Sequence, residues 1–159
     1  MELTTVKEAI NTILNTTVDF GIEEVDFLQS SGRILKENIV ADRDFPPFNR
    51  VSMDGIAISS IAFKKGIRAF KIEGIQAAGS PQLTLQNIDN CMEAMTGAVL
   101  PNNTDVVIQY ELLTIENGIA TLDIDAIKKF QNIHLKGFDK TKEDLLISKD
   151  TLISAAEIG

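Results

Sequence analysis

The chain has 159 residues, and 44% of them are hydrophobic, which is enough for a core in one ordinary domain or in two small ones. Its formal net charge is −8, so it lacks the excess of basic side chains that neutralises a nucleic-acid backbone or an anionic membrane. No apolar run approaches the roughly 20 residues that cross a bilayer. The composition therefore predicts a globular protein that binds neither nucleic acid nor membrane.

Cysteine usage and the first residues indicate the compartment. Cys91 is the single cysteine, so an intrachain disulfide is excluded. Because Cys91 lies in an apolar run, we expect it to be a buried small hydrophobic residue rather than a nucleophile. The first residues do not show a basic segment followed by an apolar one, which is the pattern of a secretory signal. We therefore expect a cytoplasmic protein.

The beginning of the chain predicts a helix. Thr5 and Glu8 have the T-x-x-E spacing of a capping box, which marks a helix start. Apolar residues then recur at helical spacing on one face: Val6, Ile10, Ile13 and Leu14. We expect an amphipathic helix over residues 5–16, within an N-terminal segment 1–21. The opposite side has few basic residues, so the apolar face is expected to pack on another domain or subunit rather than on lipid.

Two separate segments, residues 22–45 and 141–159, are predicted to form one small discontinuous α/β domain. Their apolar stretches predict strands joined by a short helical turn. These stretches are Glu23–Leu28, Ile34–Val40, Leu145–Ile147 and Thr151–Ile153. A second capping box, from Ser154 to Glu157, starts a helix at the end of the sequence. We therefore expect the chain to be a fragment cut at an interdomain helix.

Residues 46–140 are predicted to form a β domain. Pro46 and Pro47 lack N–H donors and forbid a regular helix or a central strand there. Short apolar segments follow, separated by glycine, asparagine and proline. The candidate strands are Ile56–Ile58, Phe70–Ile75, Cys91–Met95, Asp105–Tyr110, Leu112–Ile115 and Ile119–Ile124. Asn117-Gly118 predicts a type I′ hairpin. The expected fold class is α+β, with a β-barrel-like or β-sandwich domain.

Two short stretches of the β domain could bind a ligand. Asp54 comes directly before an apolar strand, and Thr96-Gly97 offers a hydroxyl beside an unobstructed backbone N–H, a combination that often holds small anions. Either stretch taken alone is also explained as an ordinary turn, because aspartate and glycine dominate turns. Asp105, Glu111 and Asp139 are further acids that could hold a hard cation or accept hydrogen bonds from a heterocycle. Solvated loop acids are the alternative.

Several other kinds of site lack the residues they need. His134 is the single histidine, so neither a histidine-based zinc site nor a Ser-His-Asp triad can be assembled from the neighbouring residues. No G-x-G-x-x-G or Walker loop is present. Arg50 and Lys136 are the basic residues nearest the candidate stretches and could meet an anionic ligand, although surface salt bridges would also account for them.

Four stretches of sequence carry a family resemblance when their order and spacing are taken together. They are DFPPFNRVSMDGIA at 44–57, AAGSP at 77–81, MTGAVLPNNTDVVIQYE at 95–111 and QNIHLKGFD at 131–139. The combination resembles the molybdopterin molybdenumtransferases, known as MoeA and, in animals, as the gephyrin E domain. The resemblance covers nearly the whole chain.

This resemblance implies a function in molybdenum cofactor biosynthesis. Family enzymes insert molybdate into adenylylated molybdopterin with Mg²⁺ and release AMP, and they act as homodimers. Carried over residue by residue, the resemblance implies two groups of site residues. The catalytic group is Asp54, Thr96 and Asp139, and the ligand-binding group is Gly55, Gly97, Asn132, Lys136 and Gly137. It identifies no metal ligands.

Two rival interpretations remain open at this point. The chain could be a non-catalytic dimerisation or scaffold module of the gephyrin type. It could also be a β-rich binding domain unrelated to the family, in which Asp54, Thr96 and Asp139 point to unrelated surfaces. The family interpretation instead predicts that these three side chains converge on one concave face, because one ligand cannot bind scattered groups.

Overall fold

The computed structural model describes residues 4–159, so the first three residues of the predicted N-terminal segment lie outside the described part. The helices are α1 Val6–Thr16, α2 Ser60–Lys64 and α3 Ala155–Ile158. The strands are β1 Ile39–Val40, β2 Arg50–Val51, β3 Gly55–Ile58, β4 Ala69–Gln76, β5 Cys91–Ala94, β6 Val106–Gln109, β7 Leu113–Glu116, β8 Ile119–Leu122, β9 Ile133–His134 and β10 Leu145–Ile147. No helix in residues 4–159 is long and apolar enough to cross a membrane.

The Cα positions divide the chain into two compact units. One consists of Met1–Ile39 with Ile147–Gly159, and the other is Val40–Leu146. The second unit is mostly β, and its main sheet is curled into a half-barrel. The predicted α+β class, with a barrel-like β domain and an N-terminal helix, is therefore confirmed. The domain limits drawn from the sequence stay a prediction.

Both predicted capping boxes are present. The Thr5 hydroxyl accepts a hydrogen bond from the N–H of Glu8, whose carboxylate accepts one from the N–H of Thr5, and α1 begins at the next residue. Ser154 and Glu157 make the same pair of contacts at α3. These contacts satisfy N–H groups that lack partners at a helix start, so the sequence located both starts correctly.

The predicted strand Glu23–Leu28 is wrong. The chain instead makes a 3₁₀ turn at Phe27–Gln29, and the Asp26 carboxylate accepts a hydrogen bond from the N–H of Leu28. A side chain that binds the backbone locally competes with the extended conformation, and this contact favours the turn. The second predicted strand, Ile34–Val40, is only partly extended. It contains β1 and a single β-bridge that pairs Ile34 with Leu152.

The six-stranded sheet has the order β6-β3-β5-β4-β8-β7. Strand β3 is antiparallel to both β5 and β6, whereas β4 and β5 are parallel. Consequently β4, β5 and β6 all end on the side of the sheet where β3 begins. This edge is formed by the ends of strands and is not an edge strand. We call this the Asp54 edge, because Asp54 is the residue that precedes β3.

The core lies on both faces of the sheet. Alternate residues of β3 face opposite sides, so Ile56 and Ile58 pack in one cluster and Ala57 packs in the other. Cys91 is fully buried in the first cluster, as predicted, and burial raises the pKa of its thiol to about 12. A thiol held in this state does not act as a nucleophile at neutral pH.

Local turn chemistry accounts for the hairpin between β7 and β8. Asn117 has φ 51° and Gly118 has φ 76°, the pair of positive values that a type I′ turn requires. The predicted hairpin is confirmed. Helix α2 was not predicted, because its five residues are too few for a periodic pattern; the Ser59 hydroxyl caps it by accepting from the N–H of Ile61.

Candidate functional site

Asp54 and Thr96 are in direct contact at the Asp54 edge. The Asp54 Oδ1 atom accepts two hydrogen bonds, from the backbone N–H of Thr96 at 2.6 Å and from its hydroxyl at 2.7 Å. The backbone N–H and then the hydroxyl of Thr96 lower the pKa of Asp54 below its usual value. Asp54 is therefore a fixed carboxylate at neutral pH, and one oxygen is fully engaged by the turn after β5.

Glycines make this arrangement possible. A Cβ on Gly55 would lie 1.9 Å from the carbonyl oxygen of Ile108, so only glycine allows β3 to approach β6 this closely. Gly97 has φ 86° and donates its N–H to the carbonyl of Val51 at 2.9 Å. Because β-carbons are strongly disfavoured at such φ values, Gly97 lets the chain turn back toward β2.

A second group of candidate residues surrounds β9. The ladder between β2 and β9 pairs Arg50 with His134. The side chain of Asn132 donates to the carbonyl of Val107 at 3.0 Å. His134 Nε2 lies 2.9 Å from Asp139 Oδ1, and the Arg50 guanidinium lies 3.1 Å from His134 Nδ1. His134 therefore contacts Asp139 through one ring nitrogen and Arg50 through the other.

Lys136 and Gly137 connect this second group to the stretch around the two prolines. The N–H of Lys136 donates to the Asn49 side chain at 2.9 Å, and its ammonium lies 3.3 Å from a carboxylate oxygen of Asp44. The N–H of Lys142 and then the ammonium of Lys136 lower the pKa of Asp44. Gly137, with φ 70°, donates to the carbonyl of Pro46 at 2.9 Å.

The candidate residues therefore form two groups on either side of β2. Val51 of β2 accepts from the N–H of Gly97 and pairs with Ile133 of β9. The hydrogen bonds in the described part of the chain join Asp139 to His134, not to Asp54 or Thr96. Asp54 and Thr96 are brought together, and convergence of all three on one concave face stays a prediction.

The similarity of the chain to known proteins agrees with this arrangement. A family model described as the MoeA N-terminal region, domains I and II, matches residues 4–159. The chain belongs to the MoeA N-terminal region family. A molybdopterin molybdenumtransferase of Synechocystis is 42% identical over 122 residues, which cover 76% of this chain and 31% of that protein. A molybdopterin molybdenumtransferase of Staphylococcus epidermidis is 32% identical over 158 residues, which cover 97% of this chain and 38% of that protein.

A solved MoeA structure supports the same family. The molybdopterin biosynthesis MoeA protein from Pyrococcus horikoshii is 28% identical and superposes with a TM-score of 0.80, covering 99% of this chain and 41% of that one. The chain therefore has the MoeA fold over its described length. It spans 31% and 38% of the lengths of the two curated relatives above.

The two remaining acidic candidates, Asp105 and Glu111, lie at opposite ends of the strands of the six-stranded sheet. Asp105 is far from Asp54 along β3 and accepts from the N–H and hydroxyl of Ser60 at 2.6 and 2.7 Å. It thereby binds the first residue of α2, which is a structural role. Glu111 follows β6 in a 3₁₀ turn and therefore belongs to the Asp54 edge.

Gln76, at the end of β4, is a residue that the sequence analysis missed. It is fully buried, and its side chain accepts from the N–H of Leu83 at 2.7 Å and donates to the carbonyl of Pro81 at 3.1 Å. Its own carbonyl accepts from the N–H of Met95, the residue before Thr96. Gln76 therefore holds the loop 77–83 next to the Asp54 edge. A glutamine directly after a predicted strand segment and directly before AAGSP was the available signal.

Replacing Gln76 by alanine is expected to destabilise the protein by about 1–3 kcal/mol, because the N–H of Leu83 and the carbonyl of Pro81 lose this partner and the fully buried side chain leaves a cavity. Urea unfolding followed by circular dichroism measures the loss. Gln86→Ala is the control, since the Gln86 side chain is exposed. Equal unfolding midpoints for the two variants would show that the Gln76 contacts contribute nothing.

The described residues do not fit a complete Mg²⁺ site. Residues 4–159 contain no group of three or more His, Cys, Asp and Glu side chains that could hold a metal ion. At the Asp54 edge, one oxygen of Asp54 is already occupied by the two donors of Thr96.

Proposed function

We propose that this chain works in molybdenum cofactor biosynthesis, as part of a molybdopterin molybdenumtransferase that inserts molybdate into adenylylated molybdopterin and releases AMP. The observation that carries this proposal is the fixed carboxylate of Asp54, held by Thr96 beside Gly97 at an edge where three strands end. The names of the relatives support the reaction class. The remaining oxygen of Asp54 is placed to accept a hydrogen bond from an N–H of the ligand.

Charge decides which part of the ligand these residues meet. The chain has a net charge of −8, and adenylylated molybdopterin is itself a polyanion. A bare carboxylate next to a phosphate is repelled, so Asp54 and Asp139 suit the nitrogen heterocycle rather than the phosphates. The donors for the phosphates must come mainly from elsewhere in the complete protein.

The isolated chain is therefore expected neither to transfer molybdate nor to bind adenylylated molybdopterin with micromolar affinity. Each missing charge-assisted hydrogen bond is worth about 1.5–3 kcal/mol, so several of them weaken binding by orders of magnitude. Calorimetry on the chain and on the complete protein tests this division of labour. Micromolar binding by the chain alone would contradict it.

The proposal includes assembly as a homodimer through α1. The apolar residues Val6, Ile10, Ile13 and Leu14 are each at least 50% exposed, and α1 has no buried residue. An apolar face of this kind marks an interface. It also favours a second candidate function, a non-catalytic dimerisation module, which activity measurements on the complete protein would exclude.

Dimerisation predicts that the mass measured by light scattering rises with concentration toward twice 17.4 kDa. Ile13→Asp is expected to keep the protein monomeric, because a charge is costly in an apolar interface. Asn11→Asp, which adds the same charge to α1 outside the apolar face, is the control. A strict monomer in the unmodified protein would contradict the assembly.

A further inference from the structure

A pocket lies beside Asp139 that neither the sequence analysis nor the proposed function uses. Its volume is about 300 Å³, and it is lined by Ser52, Phe130, Ile133, His134, Leu135 and Phe138. The Phe138 side chain is 73% exposed and the Phe130 side chain 39% exposed. This volume is at the lower end of the range for ligand sites, and the lining is aromatic and aliphatic with a few polar groups, as such sites are.

The imidazole in this pocket is held in one orientation. A guanidinium has donors only, so the contact of Arg50 with His134 Nδ1 requires that Nδ1 accept. The proton of the neutral ring is then on Nε2, which donates to Asp139 Oδ1 at 2.9 Å. The Phe138 ring meets the imidazole edge to face, with ring centres 5.5 Å apart and planes at 74°. The pocket therefore has two aromatic rings set nearly at right angles.

The backbone keeps a second aromatic ring at the pocket. Phe130 has φ 62°, a value that is unusual for a residue with a bulky side chain. The N–H of Phe130 donates to the carbonyl of Asp105 at 2.8 Å, and the N–H of Ile133 donates to that of Phe130 at 3.2 Å. A strained turn that holds an aromatic side chain at the surface, rather than in the core, is a feature of binding sites.

Charge complements the aromatic walls. Among residues 4–159, Arg50 has no ion-pair partner within 4 Å, although the protein is strongly acidic. A guanidinium beside a half-exposed aromatic pocket attracts a ligand that has both a flat ring and a negative group. A purely aliphatic ligand would leave Arg50 and His134 unused.

We propose that this pocket binds the planar nitrogen heterocycle of a phosphorylated ligand, with the ring against Phe138 and His134 and the phosphate toward Arg50. The choice of ligand rests on the proposed function, since adenylylated molybdopterin has two such rings, a pterin and an adenine. The claim that the pocket binds a ligand does not rest on the proposed function, because ligand binding to the pocket is measured directly and without any turnover.

Nuclear magnetic resonance on the chain tests the proposal in phosphate-free buffer. His134 is the single histidine, so its ring signals need no assignment by mutation. The probes are AMP, adenosine, 6-hydroxymethylpterin and inorganic phosphate. We expect saturable shifts of the His134 ring signals with at least one heterocycle, at a Kd of about 1 mM for so small a ligand. A stronger response to pterin or to adenine identifies which ring the pocket takes.

Three variants make the test specific. Phe138→Ala is expected to weaken binding at least fivefold and to fold normally, because the side chain is mostly exposed. Arg50→Gln is expected to remove the several-fold preference for AMP over adenosine. Phe20→Ala, at a side chain that is 95% exposed, should change nothing.

Three results would overturn the proposal. They are no saturable shift with any heterocycle, unchanged affinity in Phe138→Ala, and equal shifts with inorganic phosphate alone. Equal affinities for AMP and adenosine in the unmodified chain would refute the role of Arg50. These binding results would still hold if the complete protein proved to have no transferase activity. Failure of the proposed function and failure of the pocket proposal are therefore distinguishable.

Discussion

Replacing Gly55 by alanine is expected to abolish cooperative folding of the unit that contains the six-stranded sheet. The added Cβ would lie 1.9 Å from the carbonyl oxygen of Ile108 and 2.8 Å from the Cα of Gln109. Both atoms belong to the backbone of β6, which cannot move without breaking its ladder with β3. We expect a loss of more than about 4 kcal/mol, the range reached only by severe core defects.

The control for this prediction is Gly74→Ala in β4. A Cβ at Gly74 meets only the flexible end of Met92, at 3.7 Å, and its φ is not positive. Alanine there is expected to be neutral or to stabilise the protein by about 0.5–1 kcal/mol through the unfolded chain. Urea unfolding of both variants decides the matter. A Gly55→Ala protein that unfolds cooperatively at the midpoint of the unmodified chain would contradict the close strand approach.

Local signals predicted the elements that depend on local chemistry. The caps at Thr5 and Ser154 and the turn at Asn117-Gly118 are each complete within four residues, so the sequence is sufficient to locate them. The failed strand at Glu23–Leu28 looked extended by alternation alone, and the Asp26 contact to the backbone decided against it. Apolar alternation does not reveal whether a neighbouring strand exists to pair with.

The candidate site was only partly predictable, because its contacts join distant residues. Asp54 and Thr96 are 42 residues apart, and their pairing follows from the antiparallel register of β3 and β5, which no spacing reveals. Their selection came from the family resemblance. The contact of His134 with Asp139 and the burial of Gln76 were not foreseen, since both depend on how loops fold back on the sheet.

The second large effect is expected on activity at Asp54. Thr96 fixes the carboxylate and keeps it ionised, so Asp54→Asn preserves the shape but removes the charge. We expect the proposed molybdenum cofactor formation by the complete protein to fall about 100-fold, because the amide nitrogen cannot accept a hydrogen bond from the ligand, and a hydrogen bond to a charged group is worth about 1.5–3 kcal/mol. Thr96→Val removes one of the two donors and should raise the pKa of Asp54 toward its usual value, which a carbon-13 carboxyl titration of the chain measures.

The most direct test of the account compares Asp54→Asn with Asp125→Asn in the complete protein, using adenylylated molybdopterin and molybdate as substrates. Asp125 is exposed, and its substitution controls for the loss of one acidic charge. The account predicts the 100-fold loss for Asp54→Asn, with normal folding by circular dichroism, and the unmodified rate for Asp125→Asn. Full activity in the Asp54→Asn protein would contradict the assignment of the site to the Asp54 edge.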